Sequence, residues 1–297
     1  MTNQQKKSPL TGRYARIIMD EWFKRTFGEE PRKRLLQLFL EELIPERKIS
    51  QLTYVNPEHI NPMPEGRNIR IDVECVDEKG TRFIVEMQVA RQTSFYDRAV
   101  YYSTFGIQKQ LVAGGDADDY SFPTVYFIGL MDFSLHKGSS EVKFRYLLKR
   151  DCSDEVMTEH VQYIFLELPN CRNALRPGAT VLENFCYALH NMEQMEDRPF
   201  QLKEEIFKLL FESAEIATFT PEEKTKYEKD MTTERDIRNY ISYARQEGRE
   251  EGIATGREEA KKEYAKAFLE KGVDIAIIAA CTGLSEEVIL SLGTKQP

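Results

Sequence analysis

Asp72 and Glu86, separated by thirteen residues, are the pair whose types and spacing can do chemistry. Ile69, Ile71, Val73 and Cys75 alternate with Arg70, Asp72 and Glu74, and Phe83, Val85, Met87 and Val89 alternate with Arg82, Ile84, Glu86 and Gln88. Period two predicts two strands. Between them Glu78-Lys79-Gly80 suits a three-residue hairpin loop with the glycine at its left-handed position. Counting back from a pair at Asp77 and Thr81 sets Asp72 opposite Glu86 and Arg70 opposite Gln88, all four on one face. Directly opposed residues hold their Cβ atoms about 5 Å apart, where like charges repel. Two facing carboxylates in otherwise apolar strands therefore need a compensating charge. A hard divalent cation such as Mg²⁺, liganded by oxygen, supplies it; so would a structural ion pair with Arg70 or Arg82. The spacing alone leaves both open.

The elements that must position this pair can be read on either side. Arg13 to Phe27 carries Tyr14, Ile17, Ile18, Trp22 and Phe23 at helical spacing, with Gly28 at the exit. Pro31 suits a first helical position, and Leu35, Leu36, Phe39, Leu40 and Leu43 form an apolar stripe ending before Pro45. After the hairpin, Ser94 to Val112 predicts a helix stopped by Gly114-Gly115, followed by strands at Thr124–Asp132, Val142–Lys149 and His160–Leu168. On that helix Tyr101, Tyr102 and Phe105 are at core spacing, although aromatic rings also stack on bases. Arg32, Lys33 and Arg34 read as a solvated face or a phosphate contact. From Leu182 onward the pattern is helical. Tyr227–Lys271 is highly charged, with Gly248, Gly252 and Gly256 at intervals of four, and reads as a flexible or weakly helical connector.

Several chemistries are excluded by type and spacing. The four histidines never fall four apart, so there is no H-E-x-x-H zinc helix, and neither a G-x-x-x-x-G-K-[ST] phosphate loop nor a G-x-S-x-G elbow occurs. The five cysteines are scattered and never form a C-x-x-C pair, which argues against a disulfide framework or zinc ribbon and for a reducing cytoplasm. Of the 297 residues 41% are hydrophobic and 11% aromatic, too apolar for a disordered chain. No run approaches the ~20 apolar residues of a membrane span, and the polar N-terminus lacks a secretory h-region.

Net charge is −8, which as a prior disfavours nucleic acid. Its location removes the objection to DNA as substrate, although −8 still predicts weak, salt-sensitive non-specific binding. Residues 1–50 hold 11 Lys/Arg against 7 Asp/Glu, whereas residues 111–235 hold 14 against 23. The acidity thus lies outside the hairpin, and a bound cation would neutralise two of the acids within it.

Asp72 followed by Glu86-Met87-Gln88 resembles the D…E-x-K/Q core of the PD-(D/E)XK nucleases, and more specifically the PD-(D/E)XK nuclease family transposases, or recombination-promoting nucleases. Asp20-Glu21-Trp22-Phe23-Lys24-Arg25-Thr26-Phe27-Gly28 is similar to that family's D-x-x-F-K-x-x-F-G segment, and Phe83–Gln88 to its I-V-E-M-Q strand. Asp97-Arg98, Tyr101-Tyr102, Gln110 and Gly114 match its R-x-x-Y-Y…Q-x-x-x-G helix. Pro123–Ile128 and Phe165–Pro169 look like its later strands, so the likeness covers roughly 13–295. It implies an α/β fold, a restriction-endonuclease-like mixed sheet flanked by helices with a helical C-terminal extension. It further implies that Asp72 and Glu86 ligate Mg²⁺, or Mn²⁺ in its place, with the Met87 carbonyl completing the protein's share. Gln88 stands where the superfamily has lysine and can orient a water but carries no charge. Arg98 or Lys109 would then supply the cation, Gln110 would help shape the site, and Asp20 would add an acidic contact.

The organisation expected is a nuclease-like core at 1–175, a helical extension at 176–235, and a charged connector with a small helix-turn-helix-like unit at 236–297. In that last unit Ala279, Gly283 and Ile289 have helix-turn-helix spacing and Ser285 is a natural N-cap, but Glu286 and Glu287 would meet phosphate with the wrong sign. A packing or partner-binding unit, for a second copy or another protein, is the better reading. The function expected is Mg²⁺-dependent hydrolysis of DNA by a cytoplasmic endonuclease tied to mobile elements or recombination, with water as nucleophile. The competing expectation is a nuclease-fold module that binds DNA or protein and cleaves weakly or not at all.

Overall fold

The computed structural model describes residues 12–56, 58–59, 69–110 and 121–293. The described residues hold eight strands: β1 (Leu52–Tyr54), β2 (Glu58–His59), β3 (Ile69–Arg70), β4 (Val73–Asp77), β5 (Arg82–Gln88), β6 (Val125–Met131), β7 (Lys143–Lys149) and β8 (Val156–Glu167). They also hold eight α-helices: α1 (Asp20–Phe27), α2 (Lys33–Leu43), α3 (Phe95–Gln108), α4 (Val181–Asn191), α5 (Glu205–Ala214), α6 (Pro221–Glu270), α7 (Ile275–Thr282) and α8 (Glu286–Gly293).

Six strands form one mixed sheet in the order β1-β4-β5-β6-β8-β7, and β2 pairs with β3 apart from it. The β5–β6 and β6–β8 pairs are parallel and the rest antiparallel. Every residue of β6 is buried, as a parallel strand covered on both faces requires. The β4–β5 turn is the three-residue loop expected. The Asp77 amide donates to the Thr81 carbonyl at 2.9 Å, and Gly80 adopts φ +80°. Val73 pairs with Val85 and Glu74 with Ile84, a register that carries Asp72 opposite Glu86.

Helices cover both faces. On one, α3 lies so close that a Cβ on Gly106 would stand 3.1–3.2 Å from Arg82, Ile84 and Val125. On Gly129 it would stand 2.9 Å from Phe95 and Phe165. Phe105 is buried there, and Tyr101 and Tyr102 pack against the same core, the packing role their spacing predicts. On the other face α1 approaches β4, where a Cβ on Gly28 would come 3.4 Å from Val73. Phe39 of α2 stacks on Phe185 of α4 at 5.0 Å, and Phe27 meets both rings.

Three expectations need correction. The first helix starts at Asp20 rather than Arg13, because Tyr14 bridges to Glu215 and the Ala15 amide donates to Ala214 at 2.8 Å, pairings no local pattern announces. The strand expected from His160 begins at Val156 and runs beside β7 through two register shifts. Tyr227–Lys271 is not a flexible or weakly helical connector: all of it but Lys271 lies in the uninterrupted helix α6. Its side-chain pairs, Glu234 with Arg238, Gln246 with Glu250 and Glu258 with Lys261, support a helix three and four residues at a time. The Gly114-Gly115 stop lies outside the described residues.

The chain divides into two compact units at Lys224/Thr225. The first holds the sheet and α1 to α5. In the second, Ala265 of α6, Ile278 of α7 and Ile289 of α8 form a small core, with Gly283 at φ +70° in the turn and the Ser285 hydroxyl accepting from the Val288 amide at 3.4 Å. Among the described residues no single helix is long and apolar enough to cross a membrane.

Candidate active site

Asp72 occupies a bend between β3 and β4, and Glu86 lies third from the end of β5. The two cross over one another. The Asp72 amide donates to Glu86 Oε1 at 2.9 Å, and the Met87 amide donates to Asp72 Oδ2 at 2.9 Å. The remaining oxygen of each carboxylate faces a cation. Lys24 Nζ of α1 lies 3.3 Å from Asp72 Oδ1, and Arg98 Nη2 of α3 lies 3.6 Å from Glu86 Oε2. The strand ends are thus reached from both faces of the sheet, by α1 on the Val73 side and by α3 on the Ile84 side.

Glu86 is sealed from solvent and Asp72 largely so, with side-chain exposures of 4% and 11%. Burial pushes the Glu86 pKa well above the usual carboxylate range, and the negative charge of Asp72 pushes it further; the Asp72 amide, Arg98 and Lys24 only partly offset this. Asp72 is raised for the same first reason, against the pull of the Met87 amide and Lys24. Two desolvated carboxylates that repel one another, with Asp20 of α1 sharing the Lys24 ammonium, set three acids against two cations and form a site short of positive charge. Their donors are hard oxygens, and among the described residues no three His, Cys, Asp or Glu side chains gather as a metal site, here or elsewhere. Two carboxylates plus a main-chain carbonyl suit an ion of the Mg²⁺ type, which keeps several waters of its own. The residues fit the cation the resemblance implies. Neither arginine weighed as a structural partner fills the role at Glu86. Arg82 is bonded to Glu74 instead, and Arg70 is exposed on β3.

The other candidates divide by position. Asp20 stands beside the pair, its Oδ1 2.5 Å from Lys24 Nζ, and it raises the Asp72 pKa by charge and hydrogen bond. Gln88 closes β5, half-buried beside Met131 of β6. Arg98 is held at 3.0 Å by Gln92, its guanidinium lies 5.5 Å from the centroid of the Tyr102 ring, and its buried Nε and Nη2 make no hydrogen bond. Lys109 and Gln110 are not brought to the site. Eleven residues along a helix separate Lys109 from Arg98 by about 16 Å, and α3 runs towards Arg82 as it leaves Glu86. Lys109 is exposed, while Gln110 donates to the Gly106 carbonyl at 3.1 Å. Arg32, Lys33 and Arg34 are ion-paired with Glu29, Glu30 and Glu205.

The residue that strand-and-register reasoning missed is Lys24. It lies inside the segment that resembles the family, but only the docking of α1 shows that its ammonium faces Asp72, 48 positions away. The ends of β6 and β8 add two further polar networks along the same edge of the sheet. Asp132, just after β6, binds Arg16 at 2.8 Å and His190 at 2.5 Å. Fully buried Glu167 of β8 binds His136 Nδ1 at 2.7 Å, and His136 Nε2 meets the Tyr146 hydroxyl at 2.8 Å.

No curated protein and no solved structure matches the chain. The family profile described as PD-(D/E)XK nuclease family transposase matches residues 17–244, which takes in α1, the whole sheet, α3 and both carboxylates. With a mixed six-stranded sheet flanked by helices and the crossed Asp72–Glu86 pair at the ends of its inner strands β4 and β5, this chain belongs to the PD-(D/E)XK nuclease family of transposases.

Proposed function

We propose that the protein is a divalent-metal-dependent DNA endonuclease that hydrolyses phosphodiester bonds during transposition or recombination. The observation that carries this reading is the crossed, buried carboxylate pair, which together with Asp20 sets three acids against two cations, Lys24 and Arg98. Asp72, Glu86 and the Met87 carbonyl would hold the ion. When bound, Mg²⁺ or Mn²⁺ supplies Lewis acidity at the scissile phosphate and makes water a competent nucleophile near neutral pH.

The chain's own residues do the positioning. The Asp72 and Met87 amides clamp the two carboxylates so that neither rotates away. Arg98, lying by Tyr102 and tied to Gln92, steadies the outer oxygen of Glu86. Burial keeps bulk water from screening these charges. The Gln88 amide, at the end of the same strand, can accept from and donate to a water without changing the charge. DNA is the substrate class that the family suggests.

Supercoiled plasmid incubated with the protein, with and without Mg²⁺ or Mn²⁺, tests the reading beside Asp72→Ala and Glu86→Ala. Nicking that requires the metal and disappears in both variants is the expected result. Nicking that survives both substitutions would remove these residues from the chemistry. Absence of nicking by the parent chain with any metal or DNA form, together with retained DNA binding, would favour the binding-module reading.

A further inference from the structure

We infer that Lys24 is the cation that faces the scissile phosphate, released for that task when Asp72 takes a divalent ion; the inference rests on the nuclease reading above. Three observations converge on it. Position 88 carries an amide and supplies no charge. Arg98 faces Glu86 at 3.6 Å, is tied to Gln92 at 3.0 Å, and points at the pair from the α3 side, away from Asp72 Oδ1. Lys24 instead comes from α1, with Nζ 3.3 Å from Asp72 Oδ1 and 2.5 Å from Asp20 Oδ1.

That arrangement makes Lys24 a stand-in for a cation. Asp72 Oδ2 is occupied by the Met87 amide, so Oδ1, the oxygen Lys24 covers, is the one open to a new ligand. If Oδ1 goes to a divalent ion, Asp20 still tethers the ammonium within reach of any phosphate set against Asp72. Lys24 neutralises charge there and transfers no proton. Its backbone is fixed for this: the Gly28 amide donates to the Lys24 carbonyl at 2.7 Å, and Trp22, two residues earlier, stacks on Phe219 at 4.8 Å.

The test uses the full chain and two readouts, plasmid nicking and Mn²⁺ binding by calorimetry, on the parent, Lys24→Met, Lys24→Arg and the double variant Lys24→Met/Gln88→Lys. Near-ultraviolet circular dichroism confirms that each is folded. Lys24→Met should lose about 100-fold or more in nicking, as expected when one preorganised charge is removed. It should also bind Mn²⁺ about threefold tighter or better, because a competing positive charge has gone. Lys24→Arg should retain more nicking than Lys24→Met, and the double variant should recover at least about tenfold, since the restored charge sits beside the same phosphate. Nicking by Lys24→Met within about threefold of the parent would overturn the inference. So would Mn²⁺ affinity that falls together with nicking, the signature of a lysine that merely shapes the carboxylates, or a folded double variant as inactive as Lys24→Met. If the parent itself neither binds Mn²⁺ nor nicks, the nuclease reading fails; if the parent nicks, Asp72→Ala does not and Lys24→Met does, only the role of Lys24 fails.

Discussion

Towards the turn end of the β4–β5 hairpin, Glu74 and Arg82 lie diagonally across the two strands, 1% and 8% exposed, and bond directly. At the open end Asp72 and Glu86 are buried almost as deeply, yet each faces another carboxylate, and the cations available to them come from other elements at 3.3 and 3.6 Å. One hairpin therefore buries acids in two ways. At the turn the charge is matched within the hairpin, and Arg47 extends the matching to Asp77 at 3.4 Å and to the Thr81 hydroxyl at 2.7 Å. At the open end the charge is left incomplete, and the polar hydrogen bonds that hold it come from backbone amides. A fold gains nothing from a repelling pair unless something absent from the chain binds there.

The largest effect that could break this comparison is on the open end. Asp72→Asn or Glu86→Gln should lower nicking by about 1,000-fold or more, roughly 4 kcal/mol at 1.36 kcal/mol per decade, and abolish measurable Mn²⁺ binding while leaving a folded protein. Glu74→Gln should do the reverse. It strands a buried guanidinium, which costs about 3–5 kcal/mol of stability, while metal affinity per folded molecule stays at the parent's value. Chemical denaturation and calorimetry on the same samples separate the two ends. If Glu74→Gln also loses metal binding, the ends are not independent.

A smaller effect sharpens the comparison at the face that carries Arg98. Gly129 pairs with Glu86, and a Cβ there would lie 2.9 Å from both Phe95 and Phe165. Gly129→Ala should therefore push the start of α3 off the sheet, at a cost of about 1–3 kcal/mol typical of overpacking, and reduce nicking more than thermal stability alone explains. The corresponding alanine at Gly106 lies beside Arg82, at the turn end, and should destabilise without that additional loss.

The smallest expected effect is on pH dependence. Both open-end carboxyls hold their proton more tightly folded than unfolded. From the ordinary carboxylate range upward towards neutrality, the metal-free folded state thus binds more protons than the unfolded chain, and its stability falls as pH rises through that window. With metal chelated, the melting temperature should be lower at pH 8 than at pH 5 by roughly 2–4 °C for each kcal/mol involved. Glu86→Gln should flatten the difference, and saturating Mn²⁺ should reverse it by linkage. A profile that Glu86→Gln leaves unchanged would mean that other groups dominate it.

How much of this was legible before folding depends on how far apart the partners lie. The hairpin could be read because loop length and period two set register within about twenty residues, and Gly80 alone satisfies the turn. The aromatic face of α3 could be read because helical spacing is also local. Lys109 was misplaced because a helix long enough to cross the sheet carries its two ends to opposite edges, and a run of residues does not say which end meets Glu86. The missing first turns of α1 have a similar cause: Ile17 and Ile18 are fully buried as a helical pattern requires, but the segment around them pairs with residues two hundred positions away. In α6 the misreading came from weighing three glycines above the many charged helix formers around them, whose local pairs sustain the helix.

What the amino-acid order determined by itself is the chemistry on offer: two acids opposed across a tight turn, an amide where a charge would serve, and the family to which that pattern belongs. Only the tertiary structure decided who completes the site. α1 and α3 dock on opposite faces of the sheet, and each reaches the open end of the β4–β5 hairpin, which brings Lys24 to Asp72 and Arg98 to Glu86. The physical reason is that register is a short-range property of hydrogen bonding and side-chain alternation, whereas the partner of a buried charge is set by the packing of apolar faces remote in the chain.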